Sequence, residues 1–183
     1  MTSRATESSH YIAKKIAEIL ANGDKETIEE IVRLLLSSDK VFMYGAGRSG
    51  LIGKAFAIRL VQLGLKVFFI GETTTPIVDD TDVALIISNT GETMSAIQTA
   101  NIIRRVGAKV IVITSRRTSK LAHAANLVVV LDPEPDDETA ALAPLGTLFE
   151  DSALVFLDGI IARIMEKRKE TESKMRGRHA IWV

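Results

Sequence analysis

The amino-acid sequence predicts an α/β domain built on a five-stranded parallel sheet, and three observations carry that prediction. Short β-branched runs alternate with longer stretches of helical period. Aromatic residues make up only 5% of the chain against a 46% hydrophobic fraction, so the core must be built from Ile, Val, Leu and Ala, the composition of sheets covered on both faces. Two glycine- and hydroxyl-rich segments each follow a predicted strand and open a predicted helix.

Ile12, Ile16, Ile19 and Leu20 recur at helical spacing and predict a helix over residues 5–21, stopped by Asn22-Gly23. Asp24 is placed to cap a second helix with Ile28, Ile31, Val32 and Leu35 on one face. The first strand is expected over residues 40–44, and a helix closed by Gly64 over residues 49–63. Residues 65–70 and 83–87 read as the second and third strands. A helix over 93–106 closed by Gly107, a strand over 108–114, a short helix over 119–125 and a fifth strand over 127–131 complete the alternation. Strands separated by helices need right-handed crossovers, and these make the sheet parallel. Residues 132–139 are acidic and proline-rich, a surface loop. Residues 148–169 form a helix apolar over more than half its circumference, which predicts burial.

A chain of 183 residues suits one domain over 1–183, with residues 1–38 as a helical pair that packs on the domain or on a partner subunit. Lys+Arg and Asp+Glu are equal at 23 each, so no global field favours nucleic acid or an anionic membrane. The absence of cysteine excludes disulfides, a thiolate nucleophile and thiolate-bound metal, and fits a reducing cytoplasm. The first nine residues are polar, without an apolar signal region, and no apolar run approaches the roughly 20 residues of a membrane span.

Gly45-Ala46-Gly47-Arg48-Ser49-Gly50 matches the G-x-G-x-x-G pattern, and Glu72 ends the second strand where a dinucleotide fold holds its ribose. Against that reading, two helices precede the first strand, Ser49 puts a hydroxyl inside the pattern, and no chain remains for a substrate domain. Ser49 could equally cap its helix. A second loop of similar chemistry, Ser88-Asn89-Thr90-Gly91-Glu92-Thr93, follows the third strand. It offers four neutral hydrogen-bonding side chains, a glycine for close backbone approach and a helix N-terminus. Its plainer reading is a capping box between Asn89 and Glu92. Both loops belong to the carboxyl edge of one sheet, where open α/β sheets bind ligands, and Thr114-Ser115 ends the fourth strand there too. Gly47, Arg48, Ser49, Ser88, Asn89, Thr90, Gly91 and Thr93 are therefore the expected binding residues for a phosphorylated ligand.

These two loops, with Gly71-Glu72-Thr73-Thr74-Thr75-Pro76, Pro144-Leu145-Gly146-Thr147-Leu148-Phe149-Glu150 and Arg178-His179-Ala180, resemble the sugar isomerase (SIS) domain, and most closely its 6-phospho-3-hexuloisomerase branch. The resemblance spans nearly the whole chain. It implies a flavodoxin-like three-layer α-β-α sandwich and a homotetramer with active sites near subunit contacts. The implied reaction interconverts a 3-hexulose 6-phosphate with fructose 6-phosphate, a phosphorylated ketohexose, within the ribulose monophosphate pathway of formaldehyde metabolism. It implies neither metal nor organic cofactor. The chain departs from the family pattern at Gln62, where the family has histidine, at Asn89 and Thr90, where it has Gly and Ser, and at Ile181-Trp182-Val183. A non-catalytic sugar-phosphate sensor on the same fold is the competing expectation, and a dinucleotide-binding domain a third.

Moving a carbonyl between C2 and C3 needs one base that faces both carbons, with a cis-enediol between the two transfers. Glu150 is the expected base, on the strength of the matching motif and its apolar neighbours Leu148, Phe149 and Ala153. The competing reading makes Thr147 and Glu150 a capping box. Asp151 and Glu92 are the alternative carboxylates. His179 is the candidate for opening the sugar ring near neutral pH, or else a plain tail residue. His10 and His123 read as structural or surface residues, and no histidine pair has metal-ligand spacing.

Overall fold

The computed structural model describes residues 3–21 and 23–181, so Met1, Thr2, Asn22, Trp182 and Val183, and with them the helix stop at Asn22 and most of the tail departure, lie outside the described residues. The elements run α1 (Arg4–Ala21), α2 (Lys25–Ser37), β1 (Val41–Gly45), α3 (Gly47–Gln62), β2 (Val67–Phe69), β3 (Val83–Ile87), α4 (Met94–Val106), β4 (Lys109–Thr114), α5 (Lys120–His123), β5 (Leu127–Val130), α6 (Thr139–Leu142), α7 (Thr147–Arg168) and α8 (Glu172–Arg176). All strand pairs are parallel, in the order β2-β1-β3-β4-β5. This is the doubly wound order whose switch point falls between β1 and β3.

Alternation along the strands builds two cores. Val41, Met43, Leu85, Ile87, Ile111 and Ile113 face α2, α3 and α7 through Leu35, Phe56, Leu60, Phe149 and Leu157. Phe42, Ala84, Ile86, Val110 and Val112 face the opposite way, onto Ala96, Ala100 and Ile103 of α4 and Leu121 of α5. Both faces of the central β3 are covered, and all five of its residues are buried.

The turn chemistry follows the sequence. Asp24 accepts hydrogen bonds from the Glu26 and Thr27 amides at 3.1 Å and caps α2. Gly107, at φ 98°, closes α4 in the left-handed conformation. Three features differ from expectation. β2 is only three residues long, an edge strand whose crossover to β3, residues 70–82, contains no helix. The short α6 and α8 are present where the sequence has no apolar periodicity to mark them. And α7 is not buried all round: Phe149, Ala153, Leu157, Ile160 and Ile164 enter the core, but Val155, Asp158, Gly159 and Ala162 are exposed.

The N-terminal helix α1 lies on α6 and α7 with none of its residues fully buried. Polar contacts from Ser8 to Lys15 fix it in place. Ser8 Oγ donates to the Leu142 carbonyl at 2.6 Å, the Tyr11 hydroxyl donates to Asp136 at 2.7 Å, and Lys15 Nζ reaches the other Asp136 oxygen at 2.7 Å. Among the described residues no helix is long and apolar enough to cross a membrane.

Candidate active site

The two loops begin side by side, because Gly45 at the end of β1 pairs in register with Ile87 at the end of β3. The first loop turns so tightly that a Cβ on Gly50 would lie 2.5 Å from the Gly45 carbonyl oxygen, and one on Gly45 would lie 2.8 Å from the Gly50 nitrogen. Only glycines permit that approach. Gly47, at φ 57°, starts α3, and Ala46 rather than Ser49 occupies the cap position. Ser49 therefore sits within the first turn of α3, buried beside the helix's free N–H groups, where an anion is favoured.

The second loop is braced from below by β4 and α5. Gly91, at φ 65°, packs so closely on Ser119 that a Cβ there would lie 2.1 Å from the Ser119 hydroxyl. The Leu121 amide donates to the Gly91 carbonyl at 3.0 Å. Ser88 is buried, its hydroxyl 3.2 Å from that of Thr93, while Thr90 is exposed. Glu92 does not form the capping box. Its carboxylate accepts from the Lys120 amide at 3.1 Å and pairs with Lys120 Nζ at 3.2 Å, and these bonds hold its pKa below the ordinary carboxylate range. A carboxylate so engaged ties the loop to α5 and is unsuited to lifting a proton from carbon.

The start of α7 closes the group. Gly146 caps α7, and Thr147 Oγ1 donates to the Pro144 carbonyl at 2.7 Å, so Thr147 and Glu150 form no capping box. Glu150 instead turns into the loop cluster at 9% exposure, and Arg48 Nε donates to its Oε2 at 2.7 Å. Burial raises the Glu150 pKa, the Arg48 charge opposes that rise, and Asp151 adds to it. Asp151, 3.9 Å from Arg48 Nη2, is more open to solvent. A Cβ built on Gly146 would lie 3.2 Å from Asn89 Nδ2 and 3.3 Å from Glu150 Cδ, so the second loop and the carboxylate border one shared space. Gly47, Arg48, Ser49, Ser88, Asn89, Thr90, Gly91, Thr93 and Glu150 thus gather at one edge of the sheet.

His179 does not join them within one chain. It lines a cavity of about 720 Å³ with Arg59, Gln62, Met165 and Met175. The cavity meets α7 between Asp158 and Met165, 8 to 15 residues past Glu150, or roughly 12–22 Å along the helix. Arg178 holds the tail there by donating to the Gln62 carbonyl at 3.1 Å and pairing with Glu170 at 3.4 Å. Gly146 and Ser119 shape the site without having been singled out for it in the sequence. The Pro-Leu-Gly stop before α7 was the available signal for Gly146, whereas Ser119 is visible only once β4 is set beside β3.

Within the described residues no group of three His, Cys, Asp or Glu side chains could hold a metal ion. The sheet order also separates this site from the dinucleotide fold, whose third strand continues on the same side as its second. Glu72, the would-be ribose ligand, pairs with Lys54 at 3.1 Å.

Residues 34–150 match the SIS domain. The chain belongs to the SIS domain family. An Archaeoglobus fulgidus protein described only as uncharacterized is 40% identical over 174 residues, covering 93% of this chain and 95% of its own. A Methanocaldococcus jannaschii relative named 3-hexulose-6-phosphate isomerase is 35% identical over 155 residues, covering 85% of this chain and 83% of its own. A crystal structure of a Methanococcus jannaschii protein, described as inferring the function of a 3-hexulose-6-phosphate isomerase, superposes with TM-score 0.87 at 31% identity, covering 97% of this chain and 99% of that one. The five-stranded parallel sheet between helices is the SIS architecture that the motifs imply.

Proposed function

We propose that this protein is a sugar-phosphate isomerase interconverting a 3-hexulose 6-phosphate and fructose 6-phosphate, with residues 1–183 acting as one SIS domain. The observation that carries the proposal is the meeting of two N–H-rich loops with a buried carboxylate of raised pKa at the switch point of the sheet. The Ser88, Thr90 and Thr93 hydroxyls and the first turns of α3 and α4 suit a phosphate dianion. Glu150 then faces the carbons beyond it. Its carboxylate takes the proton from C3 of fructose 6-phosphate, and the C–H electron pair becomes the C2–C3 double bond of an enediolate. Glu150, now a carboxylic acid whose proton exchanges with solvent, protonates C2 as the C3 hydroxyl proton passes to O2 and the carbonyl forms at C3. A protein that only senses the sugar gains nothing from burying this carboxylate, and so the enzymatic reading is favoured.

Ring opening by His179 calls for a second copy of the chain, because the cavity it lines meets α7 only from Asp158 onward, two turns or roughly 12 Å past Glu150 of its own chain. Exposed apolar side chains support such an assembly: Leu51, Ile58 and Val61 on α3, Met94 at the start of α4, Leu145 before α7 and Val155 on α7. Ile77, in the crossover from β2 to β3, and Ile102, on α4, are exposed as well. Two separate self-pairing faces build a tetramer. The enzyme would act in the cytoplasm, in the ribulose monophosphate pathway.

The test is turnover of the 3-hexulose 6-phosphate without added metal, with a mass measurement by light scattering at micromolar protein. An inactive protein sinks the isomerase reading, and a monomer sinks the assembly. Mixing His179→Ala with Glu150→Gln subunits should restore part of the activity lost by each.

A further inference from the structure

Asn89 stands apart from the other polar residues of its loop. Its main chain is clamped, since the Thr114 hydroxyl, the Ser115 hydroxyl and the Ser115 amide all donate to the Asn89 carbonyl, at 2.9, 2.8 and 2.9 Å. Its carboxamide makes no hydrogen bond to another described residue, while Ser88 and Thr93 face each other and Thr90 accepts from the Glu92 amide. The free carboxamide nitrogen lies 3.2 Å from the point a Gly146 Cβ would occupy, and that point is 3.3 Å from Glu150 Cδ and 3.4 Å from Glu150 Oε1. Because residue 146 has no side chain, that point is left unfilled, and at 3.2–3.4 Å from both groups it suits a hydrogen-bonding oxygen rather than a carbon atom.

Proton removal by Glu150 drives negative charge onto the neighbouring carbonyl oxygen of the sugar. A preorganised donor at that oxygen contributes more to the rate than any donor on the distant phosphate. Arg48 is poorly suited to the task, because its Nε is already on Glu150 and its charge lowers the basicity that the reaction needs. A neutral amide stabilises the oxyanion without that penalty, and the triple clamp on the Asn89 carbonyl holds the donor in place.

We infer that the Asn89 carboxamide donates a hydrogen bond to the enediolate oxygen beside Glu150, and so serves the reacting carbons rather than the phosphate. The inference rests on the isomerase reading above. Asn89→Ala keeps the clamped carbonyl and removes only the donor. The measurements are kcat and KM with the ketose phosphate, and calorimetric affinities for inorganic phosphate and for a phosphorylated sugar hydroxamate whose hydroxamate group imitates the enediolate. The expected result is a kcat lowered about 100- to 1,000-fold with KM held within about twofold. Hydroxamate affinity should drop at least about tenfold while phosphate affinity is unchanged. A rise in KM and in the phosphate dissociation constant at constant kcat would overturn the inference. If the wild-type protein turns over no ketose phosphate, the isomerase reading fails by itself. With an active wild-type protein, selective loss of hydroxamate binding upholds the Asn89 assignment, and equal loss of both probes, or of neither, refutes it.

Discussion

Gly146→Ala places one methyl group in the space on which the whole site converges. Gly146 has φ −90° and ψ 10°, a conformation open to alanine, so the substitution adds no backbone strain. As the cap of α7 it loses little, about 0.5–1 kcal/mol, which lowers Tm by about 1–4 °C. The new Cβ, however, would sit 3.2 Å from Asn89 Nδ2 and 3.3 Å from Glu150 Cδ, inside the ordinary contact distance of about 3.5–4.0 Å. One of those groups must retreat by a few tenths of an ångström, and the methyl fills the gap between the amide and the carboxylate. Misplacement on that scale costs about 100-fold in rate. Steady-state turnover of the 3-hexulose 6-phosphate, with phosphate affinity and thermal unfolding measured in parallel, reads the effect. The expected outcome is kcat down about 100-fold, phosphate affinity intact and the fold retained. A fully active Gly146→Ala protein would show that the relative placement of Asn89 and Glu150 does not matter to the reaction.

Replacing Arg48 by Met removes the charge that opposes the raised pKa of Glu150, so the carboxylate takes up its proton at higher pH. The acidic limb of the kcat/KM profile, where the base becomes protonated and inactive, should move upward; a limb that stays put or moves down contradicts the pairing. Gly91→Ala brings a Cβ to 2.1 Å of Ser119 Oγ at a left-handed φ of 65°, so the loop must leave its place. Phosphate binding should be lost with it, and retention of phosphate affinity would remove this loop from the site.

Much of the fold was legible because the chain is locally consistent. The buried runs of β1, β3 and β4 carry the β-branched density of a doubly covered sheet, and Asp24, Gly64 and Gly107 mark helix ends with the residues that caps require. β2 reads longer in sequence than it is: Leu65 is apolar for packing beside an edge strand, and Ile70, whose amide still donates to the Met43 carbonyl at 2.9 Å, already starts the turn that ends it. The breadth of the apolar face of α7 signals surface that one chain leaves open as well as core. Within the site, strand-end loops are placed by topology, so their grouping follows once the sheet is known to be parallel. What sequence alone leaves open is which polar contact each side chain makes. Ser49, Glu92 and Glu150 all sit at spacings compatible with helix caps, and only three-dimensional packing sends Glu92 to Lys120 and Glu150 to Arg48. The tail is the opposite case: nothing in its pattern tells that Arg178 anchors His179 beside Gln62, far from Glu150 in the same chain.

The most direct measurement is hydrogen exchange at the reacting carbon. Fructose 6-phosphate incubated with the protein in deuterium oxide should gain deuterium at C3, read by nuclear magnetic resonance, and Glu150→Gln should abolish that uptake while leaving inorganic phosphate bound. Uptake that survives in Glu150→Gln would move the proton transfer to another group, and no uptake with the wild-type protein would leave a phosphosugar-binding fold without the isomerase chemistry.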